Sequence, residues 1–399
     1  MTKNQAIGVE DNNKEEHPDI EIFAKIKVVG VGGSGGAAID RMMAGKIRGV
    51  EFIAINTDAQ ALYQHAARKK LRIGENITRG LGAGMDPEIG LKAAEEAADQ
   101  IRKILEDADM VFITCGLGGG TGTGASPLIA KVARKLGALT VAVVTKPFSF
   151  EGAQRQAIAE QGLDKLSEQV DAIITIPNDR ILQIIDKKTS LLEAFMTVDE
   201  VLKNGIKAIS EIVTVPGLIN VDLADVKAVM HDAGSALMGM GEASGENRAI
   251  KAAKIAIDSP LLEHSIEGAG GIIFTIAGDK DLGMNEVNEA AKVITSSADE
   301  DAKIIFGAII DESLKDKIKV TVIATSFGNG PGHDKAGAKM KFTSPSWSAQ
   351  PVAAVKKEFI SKQRVSRFAD EIKKKEAISR KTKEEEEIDI PAFIRKKMM

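Results

Sequence analysis

The amino-acid sequence predicts an α/β protein built on a parallel sheet, followed by a smaller α+β unit. Short apolar runs rich in β-branched residues alternate with helix-like stretches through the first half of the chain. Continuous apolar strands, as opposed to alternating ones, are typical of a sheet covered by helices on both faces. The 399 residues, 44% of them hydrophobic, suffice for two or three such cores.

The first unit is predicted from five strands and the helices between them. Each strand is a short apolar run bounded by polar residues or glycine, which is the usual length of a buried strand. The predicted strands are 26–31, 50–55, 110–114, 139–145 and 172–176. The predicted helices include 87–105, 127–136 and 152–166.

One long helix separates the two units. Residues 191–213 read as one helix that Pro216-Gly217 ends, and a helix of that length would extend about 34 Å. The second unit is predicted as α+β, with helices 222–231, 247–257 and 285–297 and strands 271–277, 303–309 and 319–324.

Composition places the remaining boundaries. The polar start of the chain reads as a disordered N-terminal extension, and the Gly/Ser/Pro-rich stretch after Phe327 is typical of a disordered linker. We therefore expect an extension at 1–22, a Rossmann-like domain at 23–190, a central helix at 191–215, an α+β domain at 216–328, a linker at 329–387 and a tail at 388–399.

Charge and aromatic content argue against nucleic-acid binding. The net charge is −4, with 14 Lys and Arg against nine Asp and Glu in residues 351–399 and an acidic remainder. An acidic body with only 15 aromatic residues offers neither a basic face nor stacking platforms for bases.

The sequence also predicts neither a membrane-spanning segment nor a structural zinc site. No apolar run approaches the roughly 18 residues of a membrane span, and the N-terminus has no apolar core of a signal peptide. The single cysteine, Cys115, fits a reducing compartment, and we expect it to be a small buried residue because no partner of a catalytic thiol is evident. With the five scattered histidines it forms no zinc-ligand spacing.

Two glycine-rich loops point to a phosphate ligand. GVGGSGG at 30–36 follows a strand and opens a helix, where glycine lets the backbone approach a phosphate. CGLGGGTGTG at 115–124 also follows a strand, and its six glycines in nine residues carry an entropic cost that a turn does not require. A nest of backbone N–H groups around an anion explains that density.

The residues alone leave two kinds of ligand open. The chain has no P-loop lysine motif, and the second strand ends in Asn56-Thr57-Asp58 instead of the acidic residue that a nicotinamide enzyme places there. These features favour a nucleoside triphosphate, and a dinucleotide stays open as the second kind of ligand.

Several motifs together resemble the FtsZ family of bacterial cell-division GTPases, within the tubulin superfamily. They are GVGGSGGAAIDRM, NTD at 56–58, GAGMDP, GLGGGTGTGASP, VVTKPFSFEG, IPNDRIL and NVDLADV. The similarity runs from about Lys25 to Phe327 and returns at the extreme C-terminus.

The resemblance implies GTP or GDP with Mg²⁺ as ligands, Mg²⁺ being held through the phosphates. It places phosphate contacts on the two glycine loops, ribose contacts on Glu151 and Arg155, and guanine contacts on Asn178, Phe195 and Asp199. A carboxylate suits guanine because it accepts from the N1 and N2 hydrogens. The candidate residues of the loops and the second strand are Gly32, Gly33, Ser34, Asn56, Gly118, Gly119, Gly120, Thr121, Gly122 and Thr123.

Asn220, Asp222 and Asp225 have two interpretations. Asp222 as an N-cap with Asp225 three residues later is ordinary helix-start chemistry. The resemblance instead implies that one subunit inserts these residues into the nucleotide site of the next and that they are catalytic. Hydrolysis would then be coupled to assembly of an open head-to-tail filament.

The chain departs from the family pattern at Ala37 and Asp40. Ala37 stands where the family often has asparagine, which predicts a missing hydrogen bond of about 0.5–1.5 kcal/mol and weaker nucleotide affinity.

The resemblance also implies a cytoplasmic protein of the midcell division ring, under the membrane and without an integral membrane segment. The terminal motif IDIPAFIRKK, at residues 388–397, resembles a peptide that binds membrane-tethering and regulatory division proteins.

Two other functions stay open at this point. One is a NAD(P)-dependent oxidoreductase using the first glycine loop, which leaves the second loop unexplained. The other is a filament protein that does not turn over GTP, against which the intact Asn220, Asp222 and Asp225 argue.

Overall fold

The computed structural model describes residues 24–45, 47, 49–186, 188–215, 219, 221–262 and 264–327. The N-terminal extension, the linker, the tail, Asn220 and the Pro216-Gly217 pair lie outside the described residues.

The described part of the chain contains ten strands and eleven helices, together with two short 3₁₀ turns. The strands are β1 (Ile26–Val31), β2 (Val50–Asn56), β3 (Lys69–Arg72), β4 (Met110–Gly116), β5 (Leu139–Lys146), β6 (Ala172–Pro177), β7 (Gly234–Ser244), β8 (Ala269–Gly278), β9 (Lys303–Ile310) and β10 (Lys317–Phe327). The helices are α1 (Gly32–Ala44), α2 (Ala59–Gln64), α3 (Pro87–Glu96), α4 (Ala98–Leu105), α5 (Thr121–Lys135), α6 (Ala153–Ser167), α7 (Asn178–Ile181), α8 (Leu191–Thr214), α9 (Leu223–Met230), α10 (Arg248–Ile257) and α11 (Met284–Thr295).

The strands form one sheet in the order β3-β2-β1-β4-β5-β6-β7-β10-β8-β9. The first six of these are parallel to one another; five of them are the predicted strands, and β3 was not predicted. The chain leaves β1 toward β2 on one side and reaches β4 on the other side. The edge of the sheet at the carboxyl ends of β1 and β4 is therefore a topological switch point, where α/β proteins bind ligands.

Helices cover both faces of this parallel sheet. On one face, Ile39 and Met42 of α1 and Ile206 and Ile209 of α8 are buried against the strands. On the other face, apolar side chains of α3 to α6 are buried against Val29, Val31 and their neighbours. The fully buried strands explain why their sequences read as continuous apolar runs.

Strand β7, which the sequence analysis did not predict, joins the parallel strands to the last three. It pairs in parallel with β6 over three residues and antiparallel with β10. Its glycines made it unlike a strand, but they permit helix packing. A Cβ at Gly239 would lie 2.0 Å from the backbone oxygen of Ala256, and one at Gly241 would lie 2.0 Å from that of Ala252. The predicted domain boundaries on either side of the central helix, after residue 190 and before residue 216, stay predictions.

Two helices differ from their predicted bounds. The sequence predicts a helix at 127–136; α5 begins six residues earlier, at Thr121, and Pro127 lies inside it. Its early turns are buried, and the Ser126 hydroxyl donates to the Gly122 oxygen at 2.6 Å. Tertiary burial thus overrides the low helix propensity of glycine and threonine. The predicted helix 87–105 is two helices, and neither glycine nor proline marks the break at Ala97.

The long helix is confirmed as α8, of 24 residues. Ser190 caps it and forms a reciprocal capping box with Glu193, which fixes where the helix begins. In the part of the chain that the structure describes, no helix combines the length and the apolarity needed to cross a bilayer.

Candidate active site

A cleft of about 410 Å³ opens at the switch point, between the loops that follow β1 and β4. It is large enough for a nucleotide-sized ligand. The predicted residues that line it are Gly32, Gly33, Ser34, Asn56, Gly119, Gly120, Thr121, Gly122, Glu151, Arg155, Asn178, Phe195 and Asp199.

The two glycine loops are in direct contact. Gly32 has a φ of +74°, and a Cβ there would lie 3.1 Å from the backbone nitrogen of Gly122. The hydroxyl oxygen of Ser34 accepts from the backbone N–H of Gly116 at 2.9 Å. The Ser34 hydroxyl thus joins the loops, and its own proton is still available to donate to a ligand.

The glycines of the second loop do two jobs. A Cβ at Gly119, or at Gly33 in the first loop, would meet no atom within 4 Å, so their backbones are open to a ligand. Gly120 and Gly124 instead allow α3 to pack closely, since a Cβ at Gly124 would lie 2.0 Å from the Pro87 oxygen. The high glycine density therefore reflects helix packing as well as ligand approach.

Thr123 and Gly118 do not line the cleft. The Thr123 hydroxyl oxygen accepts from the backbone N–H of Gly118 at 3.0 Å, and Thr123 is buried. Gly118 has a φ of +92°, which glycine adopts without strain. These two residues shape the second loop from behind.

Thr121 is fixed from outside the loop by Thr57. Their hydroxyl oxygens are 2.6 Å apart, and both residues are buried. Thr57 follows β2, between the predicted residue Asn56 and the α2 N-cap Asp58. This hydroxyl pair connects the end of β2 to the first residue of α5.

Glu151 and Arg155 form an ion pair one helical turn apart at the side of the cleft. The other Glu151 oxygen accepts from the backbone N–H of Phe148 at 2.8 Å. These two contacts hold the Glu151 carboxylate in one orientation. A guanidinium has five N–H donors, so those of Arg155 that Glu151 does not use can donate to sugar hydroxyls.

Phe195 and Asn178 form an apolar and a polar wall. Phe195 is 37% exposed and its edge packs on the buried Phe148, with ring centroids 5.5 Å apart. A core aromatic would be buried on both faces; this ring is open enough to stack on a flat ligand. The Asn178 side-chain oxygen is buried and finds no hydrogen-bond partner among the described residues.

Asp199 lies beside them and is 8% exposed. The guanidinium of Arg41 on α1 pairs with its carboxylate. An aromatic face, an amide and a buried carboxylate thus meet at one end of the cleft, and this set can recognise a base that carries N–H donors.

Some lining residues escaped the sequence analysis. Thr114 and Thr145 lie near the carboxyl ends of β4 and β5, and the buried Thr114 hydroxyl has no partner among the described residues. Residues 82–85 of the GAGMDP motif form a further wall. Polar residues at the carboxyl ends of consecutive apolar strands are the pattern that could have identified both threonines.

Asp222 and Asp225 are not among the residues that line the cleft of their own chain. Asp222 is the N-cap of α9, and its carboxylate accepts from the backbone N–H of Asp225 at 2.8 Å. The helix-start chemistry is therefore present, and it leaves the charge of Asp225, which is exposed, directed away from the core.

Of the three other residues that the sequence singles out, only Cys115 lines the cleft. Ala37 is half-buried on α1 and does not line the cleft. The Asp40 carboxylate accepts from the His65 ring at 2.7 Å and from the Ala66 N–H at 2.8 Å. Cys115 is buried, and burial raises the pKa of its thiol to about 11, so it stays neutral.

Comparison with known proteins identifies two family domains in the chain. Residues 25–186 match the GTPase domain of the tubulin/FtsZ family, and residues 234–328 match the FtsZ family C-terminal domain.

Solved structures agree. An empty FtsZ dimer from M. jannaschii is 48% identical, covering 76% of this chain and 88% of that chain, with a TM-score of 0.73. A mutant of FtsZ from the same organism is also 48% identical over 76% of this chain and 91% of its own, with a TM-score of 0.74. The GTPγS-bound protofilament of CetZ2 from Haloferax volcanii shares the fold at 20% identity, covering 75% of this chain and 92% of its own, with a TM-score of 0.65.

Proposed function

The chain belongs to the tubulin/FtsZ family of GTPases, and on that basis we propose that its hydrolytic site is completed between two subunits of a filament. The chain binds a guanine nucleotide and is a GTPase. The open question is which groups act on the γ-phosphate and from which subunit.

The proposal rests on one observation: the carboxylates that line the cleft already have hydrogen-bond or ion-pair partners within the chain. Three described residues with carboxylates line it. Asp58 caps α2, Glu151 pairs with Arg155, and Asp199 pairs with Arg41. Each has a structural partner, so a carboxylate that orients the attacking water must come from elsewhere. Asp222 and Asp225, on a second surface of the same chain, are the candidates.

The phosphates are proposed to lie against the two glycine loops. The first turns of α1 and α5 direct their backbone N–H groups and positive dipole ends toward the switch point. Gly33 and Gly119 leave room for close approach, and the hydroxyls of Ser34 and Thr121 can donate to phosphate oxygens.

The base is proposed to lie at the end formed by Asn178, Phe195 and Asp199. Guanine offers two adjacent N–H donors that match a carboxylate, whereas adenine offers no such pair. The unpartnered Asn178 oxygen would gain a donor there, which removes the cost of burying it alone.

The donor set also fits Mg²⁺ bound through the phosphates. Amide and hydroxyl oxygens of Asn56, Ser34 and Thr121 are hard ligands near the phosphate end, and Mg²⁺ usually keeps few protein ligands when a nucleotide carries it. When bound, the ion neutralises negative charge on the phosphates.

Insertion of α9 from one subunit into the cleft of the next is a heterologous contact, which propagates into an open filament. Hydrolysis to GDP then weakens the contact that made it possible. Family membership supports the wider proposal of a division-ring protein at midcell under the membrane. In that role, residues 388–397 would recruit membrane-tethering and regulatory proteins.

The test is GTP hydrolysis per subunit, with Mg²⁺, over a range of protein concentrations and alongside light scattering. We expect activity only above a threshold concentration, together with scattering. Asp222→Asn keeps the helix cap but removes the charge, so this variant and Asp225→Asn should bind GTP normally and lose hydrolysis. Activity proportional to concentration from the lowest dilution would mean that each chain carries a complete site.

A further inference from the structure

A buried carboxylate, Asp171, connects three elements at the edge of the sheet opposite the nucleotide cleft. It directly precedes β6 and its side chain is 3% exposed. One oxygen accepts from the Thr140 N–H at 2.8 Å. The other accepts from the Nδ1 of His231 at 2.8 Å and lies 3.4 Å from Arg134.

The three elements all lead to the proposed catalytic apparatus. Arg134 is in the last turn of α5, whose first residue is Thr121 at the phosphate end. Strand β6 runs from Asp171 toward Asn178 at the base end. His231 follows α9, whose N-cap is Asp222. Asp171 therefore joins three elements, α5, β6 and α9. Each is held at the end opposite to the one that is proposed to serve the phosphates, the base or catalysis.

We propose that Asp171 and His231 are positioning residues that fix α9 in the orientation in which it enters the nucleotide cleft of the next subunit. This inference rests on the proposed intersubunit site. Since the His231 ring donates to a buried acceptor that β6 and Thr140 hold in place, the C-terminal end of α9 cannot shift relative to β5 and β6 without breaking a hydrogen bond to a charged group.

The rest of α9 is held by apolar packing and by one longer, neutral hydrogen bond. Val226, Val229 and Met230 are buried in the core, and the Thr325 hydroxyl donates to the Val229 oxygen at 3.2 Å. Apolar packing tolerates small sliding movements, whereas a hydrogen bond loses strength steeply with angle. The His231 side chain is 54% exposed, so replacing it should leave folding intact.

The cluster acts as an ion-pair network, not as a metal centre. Asp171, His231 and Asp232 offer ligand atoms within 4.8 Å of one another. Arg134 already places its guanidinium between the carboxylates, 2.6 Å from an Asp232 oxygen. The arginine supplies the positive charge that a bound cation would otherwise supply.

The test separates the two faces of the subunit in a mixture of two chains. The pocket donor carries Asp222→Asn and Asp225→Asn, so its cleft is intact and its α9 is inactive. The helix donor carries Asp199→Ala, so its α9 is intact and it does not hold GTP at low nucleotide concentration. Hydrolysis by the mixture, absent from either chain alone, reports an intact cleft meeting an intact α9.

His231→Phe is then introduced into one chain at a time. Phenylalanine keeps a ring but removes the donor. We expect at least about a tenfold loss of hydrolysis when the helix donor carries it, and little change when the pocket donor does. His231→Asn should restore activity in the helix donor, because its amide can donate to Asp171. His264→Phe, at an exposed histidine outside the cluster, is the matched control and should change neither mixture.

The outcomes are distinct. If the two chains do not complement, the proposed intersubunit site is wrong and this inference falls with it. If they complement and His231→Phe affects both donors equally, or neither, then the intersubunit site stands and the positioning role is refuted. Failure of His231→Asn to restore activity would also refute it.

Discussion

The guanidinium of Arg41 on α1 pairs with the carboxylate of Asp199 on α8, at the end of the cleft where guanine is proposed to bind. Asp199 is nearly buried, whereas the Arg41 side chain is 39% exposed. The pair joins the two helices and occupies an oxygen that the N–H groups of guanine are proposed to use.

Replacing Arg41 should therefore destabilise the protein more in the absence of GDP than in its presence. In Arg41→Met the buried carboxylate loses its partner, which should cost about 1–2 kcal/mol after allowance for the exposure of Arg41. Guanine N–H donors replace that partner in the complex. We expect the increase in unfolding temperature on addition of GDP to be larger in the variant. An equal loss with and without GDP would show that Arg41 and the base share Asp199 without competing.

Thr57 should control the second glycine loop although it does not line the cleft. In Thr57→Val the Thr121 hydroxyl loses its buried partner and is free to rotate, so GTP affinity should fall about three- to tenfold. Thr57→Ser retains the hydroxyl and is the matched control. Titration with a fluorescent GTP analogue measures both, and equal affinities for the valine and serine variants would contradict the role.

Introducing the amide that is missing at position 37 should strengthen binding. Ala37→Asn offers a further hydrogen bond next to the first glycine loop, and an effect of about 0.5–1.5 kcal/mol corresponds to roughly two- to tenfold tighter GTP binding. Calorimetric titration of the variant and the natural protein measures it. Unchanged affinity would mean that the half-buried side chain at this position does not reach the nucleotide.

The last two helices are joined by an ion pair with a defined pH dependence. Arg248 contacts both oxygens of Glu286, at 2.7 and 3.0 Å, and this contact lowers the pKa of Glu286 below its usual value. A lowered folded-state pKa stabilises the fold above the unfolded value, and this stabilisation is lost as pH falls through the folded value.

We therefore expect Glu286→Gln to lower the free energy of unfolding by about 1–3 kcal/mol at pH 7. The difference should shrink as the pH falls through the lowered pKa of Glu286, because the natural side chain then also becomes neutral. Urea unfolding at several pH values measures this. Glu312→Gln, in an exposed pair with Lys280, is the control and should have little effect. A deficit that persisted undiminished in acid would show that charge is not its cause.

The sequence by itself determined the parallel sheet, the long helix and the family to which the chain belongs. These features depend on local chemistry: buried parallel strands require continuous apolar runs, Ser190 and Glu193 form their capping box within one turn, and the family motifs are contiguous. Their bounds in the structure agree with the prediction to within a few residues, because few alternatives satisfy the same pattern.

Only the tertiary structure decided the rest. The glycines of β7 are untypical of a strand, and their role is evident only from the packing of α10 on Gly239 and Gly241. Helix α5 begins at Thr121 because its glycines are buried against α3. The pairs Thr57–Thr121, Arg41–Asp199 and Asp171–His231 join residues 64, 158 and 60 positions apart. No periodicity or motif links residues at such separations. Their contact is a consequence of how the sheet orders its strands, and the orientation of the nucleotide site and of α9 depends on it.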